Sequence, residues 1–123
     1  ADAASIKLPR RIPFHVAMDL LLTGRRIDAR EAKQWGLVNE IVPAEQLMTR
    51  ARELAQQLAA GPPLVFAAIK EIIRETTHLS IEQAVEQVTR RHLPTVDRLY
   101  SSEDQKEGAR AFAEKRKPVW QGR

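Results

Sequence analysis

The stretch Leu20–Pro43 constrains the fold of this chain more than any other, because it contains the signals for two helix ends and one helix start. Asp28 is a residue type that accepts a backbone N–H at a helix N-cap, and Glu31 follows three residues later, as in a capping box. Gly24 and Gly36 stand where a left-handed glycine closes a helix. The stretch therefore predicts one helix that ends at Gly24 and a second that runs over Asp28–Trp35.

The residues on either side of this helix pair predict little regular structure. After it, Leu37–Val42 is rich in β-branched side chains, and Pro43 cannot continue a ladder, so we expect one short extended edge segment. Before it, Ala1–Arg11 has no helical periodicity and is predicted to be a loop. Phe14–Leu22 is predicted to be a short helix with Pro13 in its first turn.

Apolar residues recur at helical spacing through the rest of the chain. Leu47, Leu54 and Leu58 predict one buried face on the first helix of this part. Leu64–Ile69 is apolar on nearly every side, so we expect that helix to need neighbours all round. The predicted helices are Glu45–Leu58, Pro63–Thr76, one starting at a capping box of Ser80 and Gln83, one restarting at Pro94, and one from Ser102 to about Lys115.

Composition limits the class of protein. At 123 residues the chain has the size of one domain, and its 43% hydrophobic but only 5% aromatic content favours helices over a β-sandwich. Without cysteine it has no disulfide, thiolate metal ligand or thiol nucleophile. No run approaches the ~20 apolar residues of a membrane span, and Ala1–Arg11 lacks the apolar region of a signal peptide. We therefore expect a cytoplasmic protein without a membrane segment.

Positive charge is concentrated at the end of the chain. The net charge is +4, and the part from Lys106 onward carries six Lys and Arg residues against Glu107 and Glu114, which is also +4. Such a segment suits an anionic ligand or partner, although a solvated face is the commoner explanation of a charge run. No aromatic platform, recognition helix or RNA motif accompanies it, so we expect no nucleic-acid partner.

The usual catalytic and metal motifs are missing. His15, His78 and His92 are too scattered to predict a metal site, and neither a G-x-S-x-G elbow nor a phosphate-binding glycine loop is present. Asp2 is the one acid in an irregular small-residue loop, where chemistry is often placed, but a plain loop acid is the more frequent case. The remaining acid clusters suggest ordinary helix-surface patterning: Glu71/Glu75, Glu82/Glu86 and Glu103/Asp104/Glu107. We predict no catalytic residue and no metal ligand in this chain.

The last helix contains a more suggestive pair. Phe112 and Lys115 are three residues apart and so are expected to share a helical face, which would place an apolar plate beside a cation. That pairing suits a purine ring that carries a phosphate. The alternative is that Phe112 anchors the core and Lys115 is a solvated helix end.

Three ordered motifs resemble the C-terminal part of the crotonase superfamily, which contains the enoyl-CoA hydratases and isomerases. Lys7–Arg10 is similar to the family's R-L-P-R. Leu22–Asn39 is similar to its LTG-R-x-I-x-A-x-E-A…G-L-V-N signature, and Ser102–Pro118 to its closing S-E-D-x-x-E-G…A-F-x-E-K-R. Within the family, Arg52–Leu58 and the ending Pro118–Arg123 most resemble the carnitinyl-CoA dehydratase branch.

The resemblance implies a mainly α fold: the C-terminal helical trimerisation region that follows a ββα-spiral core, with one short extended segment. Residues 1–43 would be the last part of that core. Residues 44–123 would be the helical oligomerisation and CoA-contacting region, commonly a trimer or a hexamer of two trimers. The family's C-terminal Phe and Lys, which contact the nucleotide of coenzyme A, map onto Phe112 and Lys115.

Family enzymes hold an acyl-CoA thioester with two backbone N–H groups and use carboxylates to add or remove water. Those groups precede the R-L-P-R motif, and the family's Pro-Gly-x-Gly-Gly loop is replaced here by Ala1–Ser5. Some members have an acid in this loop, which would bring Asp2 to an active site. The resemblance therefore implies the C-terminal portion of a lyase, inactive alone, whose ligand is an acyl-CoA and whose partner would be the missing core. The competing hypothesis is a non-catalytic helical oligomerisation module.

Overall fold

The computed structural model describes residues 3–123, and the regular structure in that range is helical, without a β-strand. This confirms the prediction of a mainly α chain. The α-helices are α1 (Ala4–Lys7), α2 (Phe14–Thr23), α3 (Ala29–Gln34), α4 (Leu47–Ala59), α5 (Pro63–Thr76), α6 (Ile81–Thr89), α7 (Pro94–Tyr100) and α8 (Glu103–Ala113), with 3-10 turns at Leu8–Arg10 and Ala44–Gln46.

Local capping signals place several of these helices correctly. The predicted Pro63–Thr76 helix has the bounds of α5. At the start of α6, Ser80 Oγ accepts the N–H of Gln83 at 3.2 Å, while Gln83 Oε1 accepts the N–H of Ser80 at 3.1 Å. Such reciprocal bonds satisfy two backbone donors that a helix start leaves open. Both halves of this predicted capping box are confirmed.

The predicted loop at the start of the chain is wrong from Ala4 onward. The chain forms α1, in which the N–H of Lys7 donates to the carbonyl of Ala3 at 2.9 Å, and then a 3-10 turn. Leu8 packs against a small cluster formed by later residues. This contact is tertiary, so the spacing of apolar residues within Ala1–Arg11 could not reveal it. Asp2 lies outside the described residues.

The predicted extended segment after α3 is also wrong. Gly36 is left-handed with φ +75°, as predicted, and the N–H groups of Gly36 and Leu37 donate to the carbonyls of Lys33 (3.0 Å) and Ala32 (2.8 Å). These two bonds form a Schellman motif, so the first donors of the segment are already used at the helix end. A strand also needs a partner ladder, and residues 3–123 contain no other strand to supply one.

The capping pair of α3 is only half formed. Asp28 Oδ1 accepts the N–H of Glu31 at 2.8 Å, as predicted. The Glu31 carboxylate, however, accepts two hydrogen bonds from Arg25 (2.7 and 3.1 Å) and one from the indole of Trp35 (3.2 Å). Because Arg25 also binds Asp19 on α2, its guanidinium links the end of α2 to α3. The hydrogen bonds from Arg25 and Trp35 lower the pKa of Glu31.

The chain forms two compact units, Ala1–Ala51 and Arg52–Arg123, and each has its own core. These units are defined by packing, so the functional division predicted at residue 43 stays a prediction. In the first unit Leu8, Leu20 and Trp35 pack around buried Ile12, Val16 and Ala17. In the second, Ile72, Val88 and Leu99 pack around buried Ala68, Leu93 and Val96.

The predicted buried face of α4 is exposed. Leu47, Leu54 and Leu58 are 58%, 40% and 61% accessible. The amphipathic pattern itself is present in the sequence, but no described residue supplies the apolar surface that would cover it. The neighbours expected all round α5 are likewise incomplete, since Leu64 and Ala68 are buried whereas Ile69 and Ile73 are exposed.

Within residues 3–123 no helix has the length and hydropathy to cross a bilayer.

Candidate functional site

The candidate site is formed by the end of α8 and by the residues that follow it. Ser102 caps the start of α8 by accepting the N–H of Gln105 at 3.1 Å, as predicted. Asp104 and Ala111 are buried, and they fix which face of the helix points inward. Phe112, the residue after Ala111, lies about 100° away from it around the helix and is exposed to solvent.

α8 ends before Lys115, so the predicted shared helical face of Phe112 and Lys115 is wrong. Lys115 has φ +53° and occupies the left-handed position of a Schellman motif. Its N–H donates to the carbonyl of Phe112 at 3.2 Å, and the N–H of Arg116 donates to that of Ala111 at 3.0 Å. Glycine is usual at this position. A lysine gives no local sign of a helix end, so the spacing pattern predicts a longer helix than the structure forms.

Phe112 is 88% accessible, so it does not anchor the core of this chain. Lys115 is exposed as well, and it makes no ion pair with any residue in the described range. The helix end thus carries an open aromatic ring and, three residues later, an uncommitted ammonium group. An aromatic face can stack on a planar base, and an ammonium can bind a phosphate as a compact charge.

Arg116, the next residue, is tightly bound to the helix. Its Nη1 and Nη2 contact the two carboxylate oxygens of Glu107 at 2.6 and 2.9 Å, and its Nε contacts Glu114 at 2.5 Å. Glu107 also accepts the N–H of Val119 at 2.9 Å. The hydrogen bonds from Arg116, with that from Val119, lower the pKa of Glu107 to about 2, and the two carboxylates raise the pKa of Arg116.

The remainder of the chain folds back along α8. We call Arg116–Arg123 the tail segment. Buried Asp104 accepts the N–H groups of Gln121 (2.7 Å) and Gly122 (2.9 Å), and its own N–H donates to the carbonyl of Arg123 at 3.1 Å. The tail segment is therefore fastened near both the middle and the start of α8.

Gly108 makes room for an aromatic ring of the tail segment. A Cβ at this position would lie 3.3 Å from the nearest carbon of Trp120, a contact tight enough that the ring would have to shift by a few tenths of an ångström. Gly108 thus lets Trp120 lie against the middle of α8, where a larger residue would force the ring to move. Gly108 and Trp120 are both visible in the sequence, but only the folded tail segment shows that they meet.

A cleft of about 390 Å³ lies beside α8 and the tail segment. Its charged lining residues are Glu103, Asp104, Glu107, Arg110, Arg116 and Arg123. Carboxylates and guanidinium groups are equal in number, and Asp104 and Glu107 are already occupied by backbone and arginine donors. We therefore assign this cleft a structural role. The spacing of these acids indicated surface patterning, but in the structure Asp104 and Glu107 hold the tail segment.

The other residues considered from the sequence do not converge on a site. His15, His78 and His92 are exposed, and within residues 3–123 no group of three His, Cys, Asp or Glu side chains could hold a metal ion. Glu71, one of the acids attributed to helix-surface patterning, accepts two hydrogen bonds from Thr95. Those bonds lower its pKa, which keeps it ionised and occupied.

The fold, the motif order and the helix end agree with one class of protein. The chain belongs to the enoyl-CoA hydratase/isomerase family, whose sequence profile matches residues 2–123. This confirms the resemblance to the crotonase superfamily.

Individual relatives are similar over nearly the whole chain. The carnitinyl-CoA dehydratase of Proteus mirabilis is 48% identical over 118 residues, which are 96% of this chain and 45% of that protein. A probable enoyl-CoA hydratase/isomerase of Mycobacterium abscessus is 42% identical with a TM-score of 0.83. An enoyl-CoA hydratase of Mycobacterium tuberculosis is 36% identical with a TM-score of 0.85. The matches to both structures cover 98% of this chain and 46% of theirs. This chain thus spans somewhat less than half the length of these relatives.

Proposed function

We propose that this chain is the C-terminal portion of an acyl-CoA-processing lyase of the enoyl-CoA hydratase or carnitinyl-CoA dehydratase type, which reversibly adds or eliminates water on a CoA thioester. Family membership and the 45% coverage of the carnitinyl-CoA dehydratase support this proposal. The oxyanion donors and catalytic glutamates would belong to the part of the relatives that this chain does not match. We place the enzyme in the cytoplasm.

In this proposal, the region described here binds the nucleotide end of coenzyme A. The observation that carries it is the exposure of Phe112, 88%, at a helix end that also presents the unpaired Lys115. An exposed ring offers a flat apolar face on which a planar base can stack and so be removed from water. The adenine ring would stack on Phe112, and the Lys115 ammonium would contact a phosphate.

Titration of coenzyme A by isothermal calorimetry tests this role. Phe112→Ala and Lys115→Ala should each weaken binding, by about fivefold or more, since exposed charged and stacking contacts contribute about 1 kcal/mol. Lys33→Ala is the matched control, because it removes an exposed lysine from α3. Unchanged affinity in both site variants would refute the nucleotide contact.

Catalysis is a separate test. The purified chain should not hydrate crotonyl-CoA, because no catalytic carboxylate or oxyanion donor is assigned to it. Turnover by this chain in the absence of any companion polypeptide would show that the assignment of the missing groups is wrong.

A second candidate function is a non-catalytic helical oligomerisation module. The exposed apolar face of α4 favours it, since Leu47, Leu54 and Leu58 would be covered in an assembly. Light scattering should then show a trimer or hexamer, and Leu54→Glu should dissociate it, whereas coenzyme A should give no heat of binding. A monomer at micromolar concentration would contradict this candidate. An assembly that also binds coenzyme A would favour the lyase proposal.

A further inference from the structure

The left-handed backbone of Lys115 requires an explanation. Among the residues of the described range, only Arg91 and Lys115 combine a side chain with positive φ, at 54° and 53°. A residue with a Cβ costs about 1–2 kcal/mol in this conformation. Such conformations persist where the surroundings hold them, and they are concentrated at ligand-binding positions. The groups that hold Lys115 in place are therefore of functional interest.

The two left-handed positions differ in how they are held. Both have the backbone bonds of a Schellman motif, and Arg91 adds a stacking contact of its own side chain, 4.9 Å above the ring of Tyr100. At Lys115 the side chain stays uncommitted, and the neighbouring Arg116 is fixed instead. The conformation at Lys115 is thus held by residues around it, which leaves its ammonium available.

Glu107 is the centre of that arrangement. It binds Arg116 through both carboxylate oxygens and also accepts the N–H of Val119, so it fastens residues on both sides of Lys117 and Pro118 to α8. A two-point contact between a planar guanidinium and a carboxylate fixes direction as well as distance. Glu107 has 16% of its side chain exposed, against 38% for Arg116. Glu107 is therefore the less exposed partner of this ion pair.

We propose that Glu107 is a positioning residue for the bound coenzyme: through Arg116 it fixes the backbone at Lys115 and so directs the ammonium at a phosphate monoester, the 3′-phosphate of coenzyme A. This inference rests on the proposed function. Glu107 does not itself contact the ligand, because its oxygens are occupied and its negative charge would repel a phosphate.

The repulsion between Glu107 and a phosphate allows a positioning role to be distinguished from a direct effect of charge. If Glu107 acted only through its charge, Glu107→Gln would remove a negative charge near the phosphate and strengthen binding. If Glu107 positions Lys115, the same change weakens the contact with Arg116, and the selectivity for the phosphate falls. The two explanations therefore predict changes of opposite sign in the preference for a ligand that carries the phosphate.

The experiment compares coenzyme A with dephospho-coenzyme A, which lacks the 3′-phosphate, by calorimetry on the full chain. The unmodified chain should bind coenzyme A the more tightly of the two. Lys115→Ala should remove most of that preference. Glu107→Gln should reduce the preference by about fivefold, the scale of one exposed charge contact, and leave the affinity for dephospho-coenzyme A within twofold. Glu103→Gln, at the start of α8, is the control and should change neither value.

A second variant guards against a failure of Glu107→Gln to fold. Arg116→Lys keeps the positive charge but cannot make the planar two-point contact, so it should show the same selective loss. Circular dichroism should give the unmodified helix content for each variant that is compared.

The possible results test the phosphate contact of Lys115 separately from the positioning role of Glu107. An unchanged preference in Lys115→Ala would overturn the phosphate contact itself. A preference that is lost in Lys115→Ala but retained or increased in Glu107→Gln and Arg116→Lys would overturn only the positioning role. Equal weakening of both ligands in Glu107→Gln would also overturn it, because that pattern indicates general structural damage.

Discussion

Glu71 on α5 caps the start of α7 across 24 residues of sequence: its Oε2 accepts the N–H of Thr95 at 2.8 Å and the Thr95 hydroxyl at 2.6 Å. Leu93, the N-cap residue of α7, has no side-chain oxygen to offer. One of the open donors of this helix start is thus satisfied by a neighbouring helix. The same contact fastens α5 to α7, the two helices that surround buried Ala68 and Val96.

Removing the hydroxyl of Thr95 should destabilise the second unit. We expect Thr95→Val to lower the urea midpoint of unfolding, because Glu71 loses one of two donors while its carboxylate stays half-buried. Thr89→Val is the matched control: its hydroxyl bonds only to carbonyls of its own helix. In a double-mutant cycle, Thr95→Val should have little effect once Glu71→Ala has removed the acceptor, and additive effects would contradict a direct contact.

The Glu107–Arg116 pair predicts a loss of stability in acid. The pKa of Glu107 falls from 4.5 to about 2 in the folded chain. A depressed folded pKa contributes stability that is present in full above the unfolded value and is lost as the pH falls through the folded value. The difference in urea midpoint between the unmodified chain and Glu107→Gln should therefore be constant from pH 7 to about 5, and shrink from there towards pH 2. A difference that grows on acidification would exclude the pairing.

Lys115→Gly should stabilise the chain while impairing the candidate site. Glycine adopts the left-handed conformation without the cost of a Cβ, but it also gains freedom in the unfolded chain. The net gain in the free energy of unfolding should be about 0.5 kcal/mol. Lys106→Gly, in the interior of α8, is the control and should cost about 1 kcal/mol. A loss of stability in Lys115→Gly would show that the lysine side chain itself supports the fold.

Val96 marks the centre of the second core. It is 1% exposed and packs in one cluster with Ala68 and Leu93, so Val96→Ala should reduce the free energy of unfolding by about 2 kcal/mol through lost burial and an unfilled cavity. Val119→Ala removes the same methyl groups from a side chain that is 65% exposed and should change it by less than about 0.5 kcal/mol. Chemical unfolding followed by circular dichroism measures both, and equal effects would contradict the assigned core.

The sequence predicted features whose cause is local. Ser80 and Asp28 cap helices with side chains that reach only three residues, and Gly36 adopts the conformation that glycine favours. It failed where the cause is distant. Nothing in the residue type of Lys115 indicates a left-handed backbone, because that conformation depends on the fastened tail.

The candidate site shows the same limit. The spacing of Phe112 and Lys115 and the family motif both indicated this pair, but the side-chain contact that fastens the tail segment after it joins Glu107 and Arg116, nine positions apart. Spacing within one helix cannot reveal such pairs.

The face of α4 shows a different limit, because its pattern correctly indicates an apolar surface but carries no information about what covers it.

The two tryptophans are divided between the compact units: Trp35 belongs to Ala1–Ala51 and Trp120 to Arg52–Arg123. Substitution of either one by phenylalanine leaves a single intrinsic fluorophore whose emission reports on one unit alone. Thermal melts of the two single-tryptophan chains would then reveal whether the halves of this polypeptide lose their structure in one cooperative transition or in succession.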